Sequence, residues 1–419
     1  MSEEKLVPKL RFSGFTDEWN EVTLNDVATF SKGKGISKND ISNYGIECVR
    51  YGELYTKYNE MIYNIESKTD LDKNELKLSE KNDILIPCSG ETAIDLATAS
   101  CIQKDQVAIG GDITVIKTNQ YAPFITYYLN QKKTEIAKYA QGVSIVHLYP
   151  KDFKVMNIRI PSINEQKMII RLLEEITKKE QLLESKYQQY QEFKKYLMQQ
   201  IFTQKLRFKS ADGEQYSDWK ERNLYEFLTE HKLKSTGNEE VYSVSVHKGL
   251  VNQKEHLGRD FSAPDTSKYN LVKPGDIVYT KSPTGDFPLG IIKQSRVDKN
   301  VIVSPLYGVF TPETYALGYI LNDYFESNVN THNYLHPIVQ KGAKNTMNIT
   351  NKTFLSKTLF VPTDVNEQQK IAECFSKVND SIRNIEIQQN KVNEFKKGLL
   401  QQMFVVQLIL SLLQNKKHI

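Results

Sequence analysis

The sequence predicts an α+β protein in which two similar globular domains are joined by two long helices that pack on each other. Three observations predict this fold. The second half of the chain repeats the first, each half contains a heptad pattern of apolar residues, and short β-rich runs separated by turn residues fill the rest. With 419 residues, 39% of them apolar and 25% charged, the chain is long enough for cores in two or three domains.

Three sequence anchors occur twice in the chain. They are EFKKYLMQQIF at 192–202 and EFKKGLLQQMF at 394–404, the triplets Asn164-Glu165-Gln166 and Asn366-Glu367-Gln368, and KLRF at 9–12 and 205–208, each leading to a tryptophan, Trp19 or Trp219. The first pair agrees at eight of eleven positions, and the triplets lie 202 residues apart. From the tryptophan to the asparagine of the triplet the separation is 145 residues in one copy and 147 in the other. The matched offsets indicate a tandem duplication.

The segment after each Asn-Glu-Gln triplet is predicted to form one long helix. Apolar side chains recur at every seventh residue, which is typical of a helix seam on a heptad repeat. The seam positions are Ile169, Ile176, Leu183, Tyr190 and Leu197 in the first copy and Ile371, Val378, Ile385, Val392 and Leu399 in the second. The companion row is weaker, because Glu180 and Lys194 interrupt it.

The length of these helices favours packing between them. Neither 165–203 nor 367–404 contains a proline, so each helix would be about 57 Å long. A helix of this length exceeds what one small domain covers. Two helices packed on each other are therefore favoured over two amphipathic helices that each lie on their own domain.

Residues 20–160 and 220–360 are predicted to form the two α+β globules. Equivalent turn-to-strand units are Asp83–Pro87 in the first copy and Pro274–Tyr279 in the second. Further buried strands are predicted at Ile113–Lys117 and Val301–Phe310. Aromatic-rich helices are predicted at Pro123–Tyr139 and Pro312–Val329. Between the anchors the two copies diverge in sequence. A kept scaffold with a varied surface is the pattern expected of two domains that recognise two different things.

Composition argues against several classes of protein. The formal net charge of +4 is too small to indicate nucleic acid by itself. The four cysteines form no CxxC pair and the first eleven residues are rich in charge, which predicts reduced thiols and a cytoplasmic protein. No apolar segment reaches the roughly 18 residues that a membrane helix needs.

Motifs for catalysis and cofactor binding are missing from the sequence. It contains no GxxxxGK[ST] or GxGxxG phosphate loop and no Pro-Pro pair. His332 and His336 have a spacing that zinc can use, but a third ligand is not signalled and a loop or capping role is favoured. The hydroxyls of Ser89 and Ser282 have no His/Asp partner at a diagnostic spacing. The motifs predict a protein that is not an enzyme and that holds no metal or cofactor.

Hydrogen-bond donors beside glycines remain as candidates for binding. The basic loop Ser31–Gly35, the segment at Gln141-Gly142 and its counterpart at Gln340-Lys341-Gly342 offer donors of the kind used on phosphates and base edges. The residues predicted to bind nucleic acid are Lys32, Lys34, Arg50, Tyr51, Gln141, Ser144 and His147 in the first copy and Lys248, Lys281, Thr284, Lys341, Lys344 and Asn345 in the second. Solvated loops contain such residues in many proteins, so the matched glutamine-glycine segments carry most of this prediction.

The repeated anchors resemble a known family. The proline followed by Asn-Glu-Gln that opens each helix, and the Glu-Phe-Lys-Lys…Gln-Gln…Phe that closes it, are similar to those of the specificity subunit of type I restriction-modification complexes. The resemblance covers nearly the whole chain, through Phe404, and is specific in the helices rather than in the globules. It implies two target-recognition domains joined by two conserved helices packed as an antiparallel coiled coil. The implied division is 1–160 for the first recognition domain, 161–205 for the first spacer helix, 206–360 for the second domain, 361–404 for the second helix and 405–419 for an atypical apolar tail.

The resemblance also implies a function. Each recognition domain would read one half of a split double-stranded DNA target, while the helices would set the spacer and dock two modification subunits. In that family the modification subunits use S-adenosylmethionine to methylate adenine, and restriction subunits use ATP and Mg²⁺ to translocate and cut. This chain would then be non-catalytic, with the cofactors on its partners. Two alternatives are a coiled-coil scaffold that binds only protein and a self-standing DNA-modifying enzyme.

Overall fold

The computed structural model describes residues 7–142, 146–257, 265–341 and 347–404. The predicted apolar tail at 405–419 lies outside these residues. The chain forms two compact units: unit 1 contains the described residues up to Glu184 and from Gln388 onward, and unit 2 contains those within Ser185–Ile387. Both units combine helices and strands, so the predicted α+β class is confirmed. Within the described ranges, no helix is long and apolar enough to span a bilayer.

Unit 1 is built on a five-stranded sheet of order β2-β11-β7-β9-β5 and a four-stranded sheet of order β10-β4-β6-β3, with the strand pairs β1–β13 and β8–β12. Its strands are β1 (Asn20–Thr23), β2 (Ala28–Lys32), β3 (Ile41–Ser42), β4 (Ile46–Val49), β5 (Met61–Ile62), β6 (Ser67–Thr69), β7 (Ile84–Pro87), β8 (Ser89–Gly90), β9 (Ser100–Ile102), β10 (Ala108–Ile109), β11 (Ile113–Thr118), β12 (Val146–His147) and β13 (Asn157–Ile160). Its helices are α1 (Leu24–Val27), α2 (Tyr51–Thr56), α3 (Ala93–Leu96), α4 (Ala122–Gln131), α5 (Lys133–Ile136), α6 (Pro150–Phe153), the first part of α7 (Ile163–Phe202) and the last part of α12 (Val365–Phe404).

Unit 2 is built on a four-stranded sheet of order β15-β22-β19-β20, with the pairs β14–β25, β16–β17, β18–β21 and β23–β24. Its strands are β14 (Lys220–Asn223), β15 (Leu228–Glu230), β16 (Tyr242–Ser245), β17 (Gly249–Asn252), β18 (Asn270–Val272), β19 (Ile277–Tyr279), β20 (Ile292–Gln294), β21 (Val301–Val303), β22 (Gly308–Pro312), β23 (Gln340–Lys341), β24 (Met347–Asn348) and β25 (Thr358–Val361). Its helices are α8 (Gln253–Leu257), α9 (Tyr315–Glu326), α10 (Asn328–Leu335), α11 (Asn351–Leu355), the second part of α7 and the first part of α12 (Val365–Phe404).

The central strands β7 and β19 begin at equivalent turns. Every residue of both strands is buried, as their apolar sequences require. Before each strand an aspartate accepts a backbone N–H three residues earlier: Asp83 from Glu80 at 2.9 Å, and Asp276 from Lys273 at 2.7 Å. After these turns each strand pairs with two antiparallel neighbours, β7 with β11 and β9, and β19 with β22 and β20.

One predicted strand is divided in the structure. The run Val301–Phe310 contains β21 and the first part of β22, and the residues between them form a turn in which the N–H of Tyr307 donates to the oxygen of Ser304 at 3.1 Å. Pro305 lies inside this turn and has no N–H to give to a ladder, which ends β21 before it. The two strands consequently join different sheets.

The long helices pack against each other within each unit, and in unit 1 they are antiparallel. The ammonium of Lys396 donates to Glu180 at 2.7 Å, and the amide of Gln389 donates to Glu184 at 2.9 Å. Residue numbers therefore rise on α7 as they fall on α12. In unit 2 the ring of Phe202 stacks on that of Phe375, with the centroids 6.3 Å apart.

The seam residues also pack on the globules. Ile169 and Leu173 share one core cluster with Trp19 and Phe124 of unit 1. Of the ten predicted seam residues, Ile169, Ile176, Leu183, Leu197, Ile371, Val378, Ile385 and Leu399 are buried, and Tyr190 and Val392 are half-buried. Each helix thus uses one apolar face for both its neighbour helix and its domain.

The charged residues that interrupt the companion row are paired. Glu180 accepts from Lys396, and the buried Lys194 forms ion pairs with Glu326 and Asp323 of α9. An ammonium at a buried helix position persists only where carboxylates offset its desolvation. These two positions therefore contribute charge pairs to an otherwise apolar seam.

An arginine–glutamate pair joins two of the repeated anchors in each unit. In unit 1 both guanidinium nitrogens Nε and Nη2 of Arg11 donate to the carboxylate of Glu165, at 2.8 and 2.7 Å. In unit 2 Arg207 donates to Glu367 in the same bidentate way, at 3.1 and 2.9 Å. Both glutamates are 1% exposed or less. The KLRF segment is thereby tied to the first turn of a long helix.

The same segment also closes on the end of the other long helix. The N–H of Leu206 donates to the oxygen of Gln200, and the N–H of Leu10 donates to the oxygen of Gln402. Since Gln402 is the counterpart of Gln200, the end of α12 takes in unit 1 the place that the end of α7 takes in unit 2. Unit 1 is therefore a circularly permuted version of the scaffold of unit 2.

We expect Arg11→Ala to destabilise unit 1 by about 3 kcal/mol, because it leaves a buried carboxylate without its cation. Arg207→Ala is the matched comparison and should cost unit 2 less, since the indole N–H of Trp219 still donates to Glu367 at 3.0 Å. Amide hydrogen exchange of β1 with β13 and of β14 with β25 reports on the two units separately. Equal loss of protection in both variants would contradict this account.

Candidate nucleic-acid interface

Several residues predicted to bind nucleic acid gather at one edge of the five-stranded sheet of unit 1. At this edge β2 and β7 end and β11 begins, because Lys32 pairs with Thr114 and Pro87 with Ile113. We call this the loop edge of unit 1, comprising residues 32–35, 88–90 and 109–113.

The basic loop at the end of β2 is held by its backbone. The N–H of Gly33 donates to the oxygen of Ile113 and that of Lys34 to the oxygen of Ile109, both at 2.9 Å. A Cβ on Gly33 would lie 2.0 Å from the oxygen of Gly110, so only glycine fits there. Lys32 and Lys34 are exposed, and the Lys32 ammonium lies 3.6 Å from the carboxylate of Asp112. The loop presents two ammonium groups from a constrained backbone.

Arg50 and Tyr51 lie beside this loop at the start of α2. The N–H of Gly110 donates to the oxygen of Val49 at 2.9 Å, and a Cβ on Gly110 would be 3.5 Å from the Cα of Arg50. Tyr51 is 39% exposed, whereas the guanidinium of Arg50 is half-buried and 3.6 Å from the buried carboxylate of Glu53. The segment Ile109–Gly110 thus lies between the loop that carries Lys32 and Lys34 and the segment that carries Arg50.

Gln141 and His147 reach the same edge from a later part of the chain. Their backbones exchange two hydrogen bonds, of 2.9 and 2.7 Å, and the ring nitrogen Nδ1 of His147 lies 3.1 Å from the hydroxyl of Ser89. The N–H of Leu148 donates to the oxygen of Cys88, whose own N–H donates to Asp112. Ser144 lies outside the described residues. The edge therefore joins six of the seven residues predicted for the first copy.

The structure adds an aromatic and basic cluster that the sequence prediction missed. The ring of Tyr149 is parallel to that of His147, with centroids 5.8 Å apart, and the ammonium of Lys151 lies 5.9 Å from the Tyr149 ring. Interleaved aromatic and basic residues are a known signature of nucleic-acid surfaces, and Tyr149-Pro150-Lys151 follows His147 closely in the sequence. These residue types are visible in the sequence, but so short a segment does not distinguish a binding surface from an ordinary loop.

In unit 2 the corresponding edge carries Lys281. There β15 and β19 end and β22 begins, since Glu230 pairs with Phe310 and Tyr279 with Gly308. Lys281 follows β19 with a φ of +61°, and Gly290 approaches so closely that a Cβ on it would be 2.8 Å from the Lys281 nitrogen. Burial lowers the pKa of Lys281, and the nearby Glu230 opposes that shift. We call this the loop edge of unit 2.

The other predicted residues of unit 2 lie in separate turns. Thr284 is exposed in a turn that it closes with Phe287 through two backbone hydrogen bonds, of 3.0 and 2.9 Å. Lys248 is exposed in the turn between β16 and β17, which Gly249 enters with a φ of +69°. In the described part of the chain, the contacts do not join Lys248 to the loop edge.

The glutamine-glycine segments have similar surroundings in both copies. Gln340 pairs with Asn348 as Gln141 pairs with His147, and a short helix and the strand before the long helix follow in each unit. For Lys341 the backbone alone is described, in β23, and Lys344 and Asn345 lie outside the described residues. The two glutamine-glycine segments, which the sequence matched, therefore share their backbone strand pairing.

The opposite edge of each sheet holds the long helix. After β11, the N–H of Tyr121 donates to the side-chain oxygen of Gln166 in α7 at 3.0 Å. After β22, the hydroxyl of Thr314 donates to the side-chain oxygen of Gln368 in α12 at 2.6 Å. The six residues of β11 separate the two edges by about 20 Å. The helix attachment therefore lies at one edge of each sheet, opposite the predicted binding loops in unit 1 and opposite Lys281 in unit 2.

A second surface repeats on the two long helices. Phe193 and Phe395 occupy equivalent positions and are 48% and 58% exposed. The residues Glu192, Glu394, Lys195 and Lys397 beside them are also identical between the copies and exposed. Packing within the chain does not explain identity at exposed positions. The repeated Glu-Phe-x-Lys patch is thus a candidate for contact with a partner.

The described residues contain no group of three or more histidine, cysteine or acidic side chains placed to hold a metal ion. His332 and His336 stack on each other with ring centroids 4.8 Å apart, at the end of α10. Burial raises the pKa of Cys48 to about 11 and that of Cys101 to about 12, which keeps both thiols protonated near neutral pH.

Comparison with known proteins gives a family match for part of the chain and a fold for nearly all of it. Residues 16–192 match the family described as type I restriction modification DNA specificity domain. A type I restriction-modification system S subunit from M. genitalium has a TM-score of 0.62 and 16% sequence identity, with 95% of this chain and 99% of that chain covered. A chain from a structural study of the assembly and conformational transition of the type I R-M system has a TM-score of 0.50 and 14% identity, over 94% of this chain and 99% of that chain. At these identities the structural matches concern the fold.

We expect Gly33→Ala to destabilise unit 1 by more than about 1 kcal/mol, because the new methyl group would collide with the backbone of Gly110. Gly35→Ala is a matched control two residues away, where a Cβ would meet nothing within 4 Å. Chemical denaturation of both variants, read out by amide exchange in β2 and β11, measures the difference. A Gly33→Ala protein as stable as Gly35→Ala would show that the loop can move away without cost.

Proposed function

We propose that the chain is the DNA-binding specificity subunit of a type I restriction-modification complex, because its residues 16–192 match the DNA specificity domain of such systems. Each recognition domain, 1–160 and 206–360, reads one half of a bipartite double-stranded target. Methylation and cleavage belong to the partner subunits, together with S-adenosylmethionine, ATP and Mg²⁺. The observation that carries the proposal is that six of the seven residues predicted to bind nucleic acid in the first copy gather at the loop edge of unit 1, opposite its helix attachment.

The chemistry of the loop edges suits double-stranded DNA. The exposed Lys32 and Lys34 supply charge for phosphates, which position a protein on the duplex without selecting sequence. Arg50 and Gln141 can make two hydrogen bonds to one base, as the major groove requires for discrimination. At the loop edge of unit 2, Lys281 supplies a cation from the segment that follows β19.

The difference between the loop edges supports two unlike half-sites. The scaffold contacts repeat from unit to unit, as in the Arg11–Glu165 and Arg207–Glu367 pairs. The side chains at the loop edges do not repeat, because Cys88-Ser89 follows β7 where Thr280-Lys281 follows β19. A chain built in this way reads an asymmetric target.

The spacer helices 161–205 and 361–404 have two roles in this proposal. They set the number of unread base pairs between the half-sites, and they dock the modification subunits. The repeated Glu-Phe-x-Lys patch supports docking, since two identical surfaces on one chain fit two copies of the same partner. Exposed aromatic residues flanked by charge are typical anchors of such interfaces.

We expect co-expression of the chain with a modification subunit to methylate adenines in a split motif with two fixed halves and a constant gap. Genome-wide mapping of methylated adenines measures the motif directly. Replacing residues 20–160 with the matching segment of another specificity subunit should change one half and leave the gap and the other half intact. A complex that forms without methylating a split motif would refute the proposed function, and a chain with no salt-dependent DNA binding would favour a protein scaffold.

We expect Phe193→Asp and Phe395→Asp each to remove one of two modification subunits from the complex, and the double variant to remove both. A carboxylate in place of each phenyl ring would have to be desolvated in the interface. Native mass spectrometry of the purified complex gives the stoichiometry. Leu182→Asp is the control, because Leu182 is 69% exposed on α7 but its counterpart is the polar Asn384. Two bound subunits in the double variant would exclude this surface.

A further inference from the structure

We propose that Arg50 selects a guanine in the half-site read by unit 1, and that Glu53 is the positioning residue that holds its guanidinium toward the DNA. This inference rests on the proposed function and goes beyond it, because it assigns one base to one side chain. Three observations support it: the N–H donors of Arg50 that hold no hydrogen bond to a described residue, the groups other than the guanidinium that bind the Glu53 carboxylate, and the position of both residues at the loop edge.

Arg50 differs from the other half-buried arginines in the described part of the chain. Those arginines each donate to a carboxylate at 3.1 Å or less: Arg11 to Glu165, Arg159 to Glu21, Arg207 to Glu367 and Arg222 to Glu313. The guanidinium of Arg50 lies 3.6 Å from its nearest carboxylate, and its buried Nε has no acceptor among the described residues. A desolvated donor without an acceptor is costly. The side chain as a whole is 26% exposed, so an acceptor on a ligand can reach the exposed end of the guanidinium.

Glu53 orients Arg50 without using its donors. The carboxylate of Glu53 is 2% exposed and accepts from the hydroxyl of Ser67 and from the backbone N–H of Arg50, the latter at 2.9 Å. The ammonium of Lys57 lies 3.4 Å from the same carboxylate. Glu53 is therefore held by groups other than the guanidinium, yet its charge remains within 4 Å of it. Such a neighbour limits the directions that the arginine can take while its hydrogen atoms stay available.

The loop edge places Arg50 beside other side chains that are predicted to bind DNA. The backbones of Lys34 and of Val49, which precedes Arg50, contact the segment Ile109–Gly110 from its two sides, and Tyr51 next to Arg50 is exposed. The exposed lysines have the mobility and charge that suit phosphates, whereas a half-buried and oriented guanidinium suits a fixed pair of acceptors. Among bases, guanine offers two neighbouring acceptors, O6 and N7, in the major groove.

The experiment uses the full chain in complex with modification subunits. Methylated adenines are mapped first for the unaltered chain, and the half-site of unit 1 is identified by exchanging residues 20–160. A guanine should be fixed in that half. In Arg50→Ala this one position should become degenerate, while the rest of both halves stays fixed. A half-site of unit 1 without a guanine, or an unchanged motif in Arg50→Ala, overturns the inference while leaving the proposed function standing.

Binding to synthetic duplexes tests the contact itself. Replacing the guanine by 7-deazaguanine removes the N7 acceptor and should weaken binding by about 5- to 100-fold for the unaltered chain. Arg50→Ala should bind both duplexes equally. Arg50→Lys keeps the charge but loses the planar fork, so it should lose discrimination and keep most of the affinity. Uniform weakening on all sequences by Arg50→Ala would show a phosphate contact instead, and full discrimination by Arg50→Lys would show that the planar fork is not what selects the guanine.

Two further variants separate positioning from folding. Glu53→Gln keeps an acceptor for Ser67 and for the Arg50 N–H but removes the charge, so it should relax selectivity at the same guanine alone. Lys81→Ala removes an exposed charge before β7, at the opposite edge of the same sheet, and should leave the motif unchanged. A motif change in Lys81→Ala, or a loss spread over the whole half-site in Glu53→Gln, would contradict the assigned roles. Amide exchange of β4 and β6 in each variant reports whether unit 1 remains folded.

Discussion

The scaffold of this protein depends on a buried bidentate ion pair between an arginine before each globule and the glutamate that opens each long helix. Arg11 and Glu165 are 154 residues apart, and Arg207 and Glu367 are 160 apart. Each pair nevertheless fixes the KLRF segment before a globule to the first turn of the long helix that follows the globule. Each buried carboxylate is stabilised by two hydrogen bonds from a guanidinium, and in unit 2 the indole N–H of Trp219 adds a third. The adjacent glutamine then holds the far edge of the sheet, through Tyr121 in one unit and Thr314 in the other.

The chain ends complete this scaffold. In unit 2 the helix end and the KLRF segment that closes on it are continuous in sequence, whereas in unit 1 they come from opposite termini. The ring of Phe404 stacks on Phe124 with centroids 5.3 Å apart, much as Phe202 packs on Trp219 and Tyr324. The last turn of α12 is therefore part of the core of unit 1, which makes that unit depend on the whole chain being present.

The two edges of each sheet differ in how far their contacts repeat between the units. The helix edge is built from contacts that repeat, and the loop edge is built from side chains that do not. In unit 1 the loop edge combines exposed lysines with an oriented arginine and a histidine on a tyrosine ring. A rigid scaffold that presents variable loops is a common solution to recognition, because substitutions at the loops leave the core packing unchanged.

The sequence by itself determined the duplication, the α+β class, the long helices and the central strands, because these depend on local periodicity and on comparing the chain with itself. Tertiary structure alone decided which distant residues meet. The hydroxyl of Ser89 beside the ring of His147, the backbone approach of Gly33 to Gly110, and the carboxylates that accept Lys194 all depend on topology. Glu180 and Lys194 break the apolar pattern in the sequence, and only their partners explain why a buried seam tolerates them. Periodicity identifies a buried face, but it does not identify the group that will lie opposite, because that group comes from a remote part of the chain.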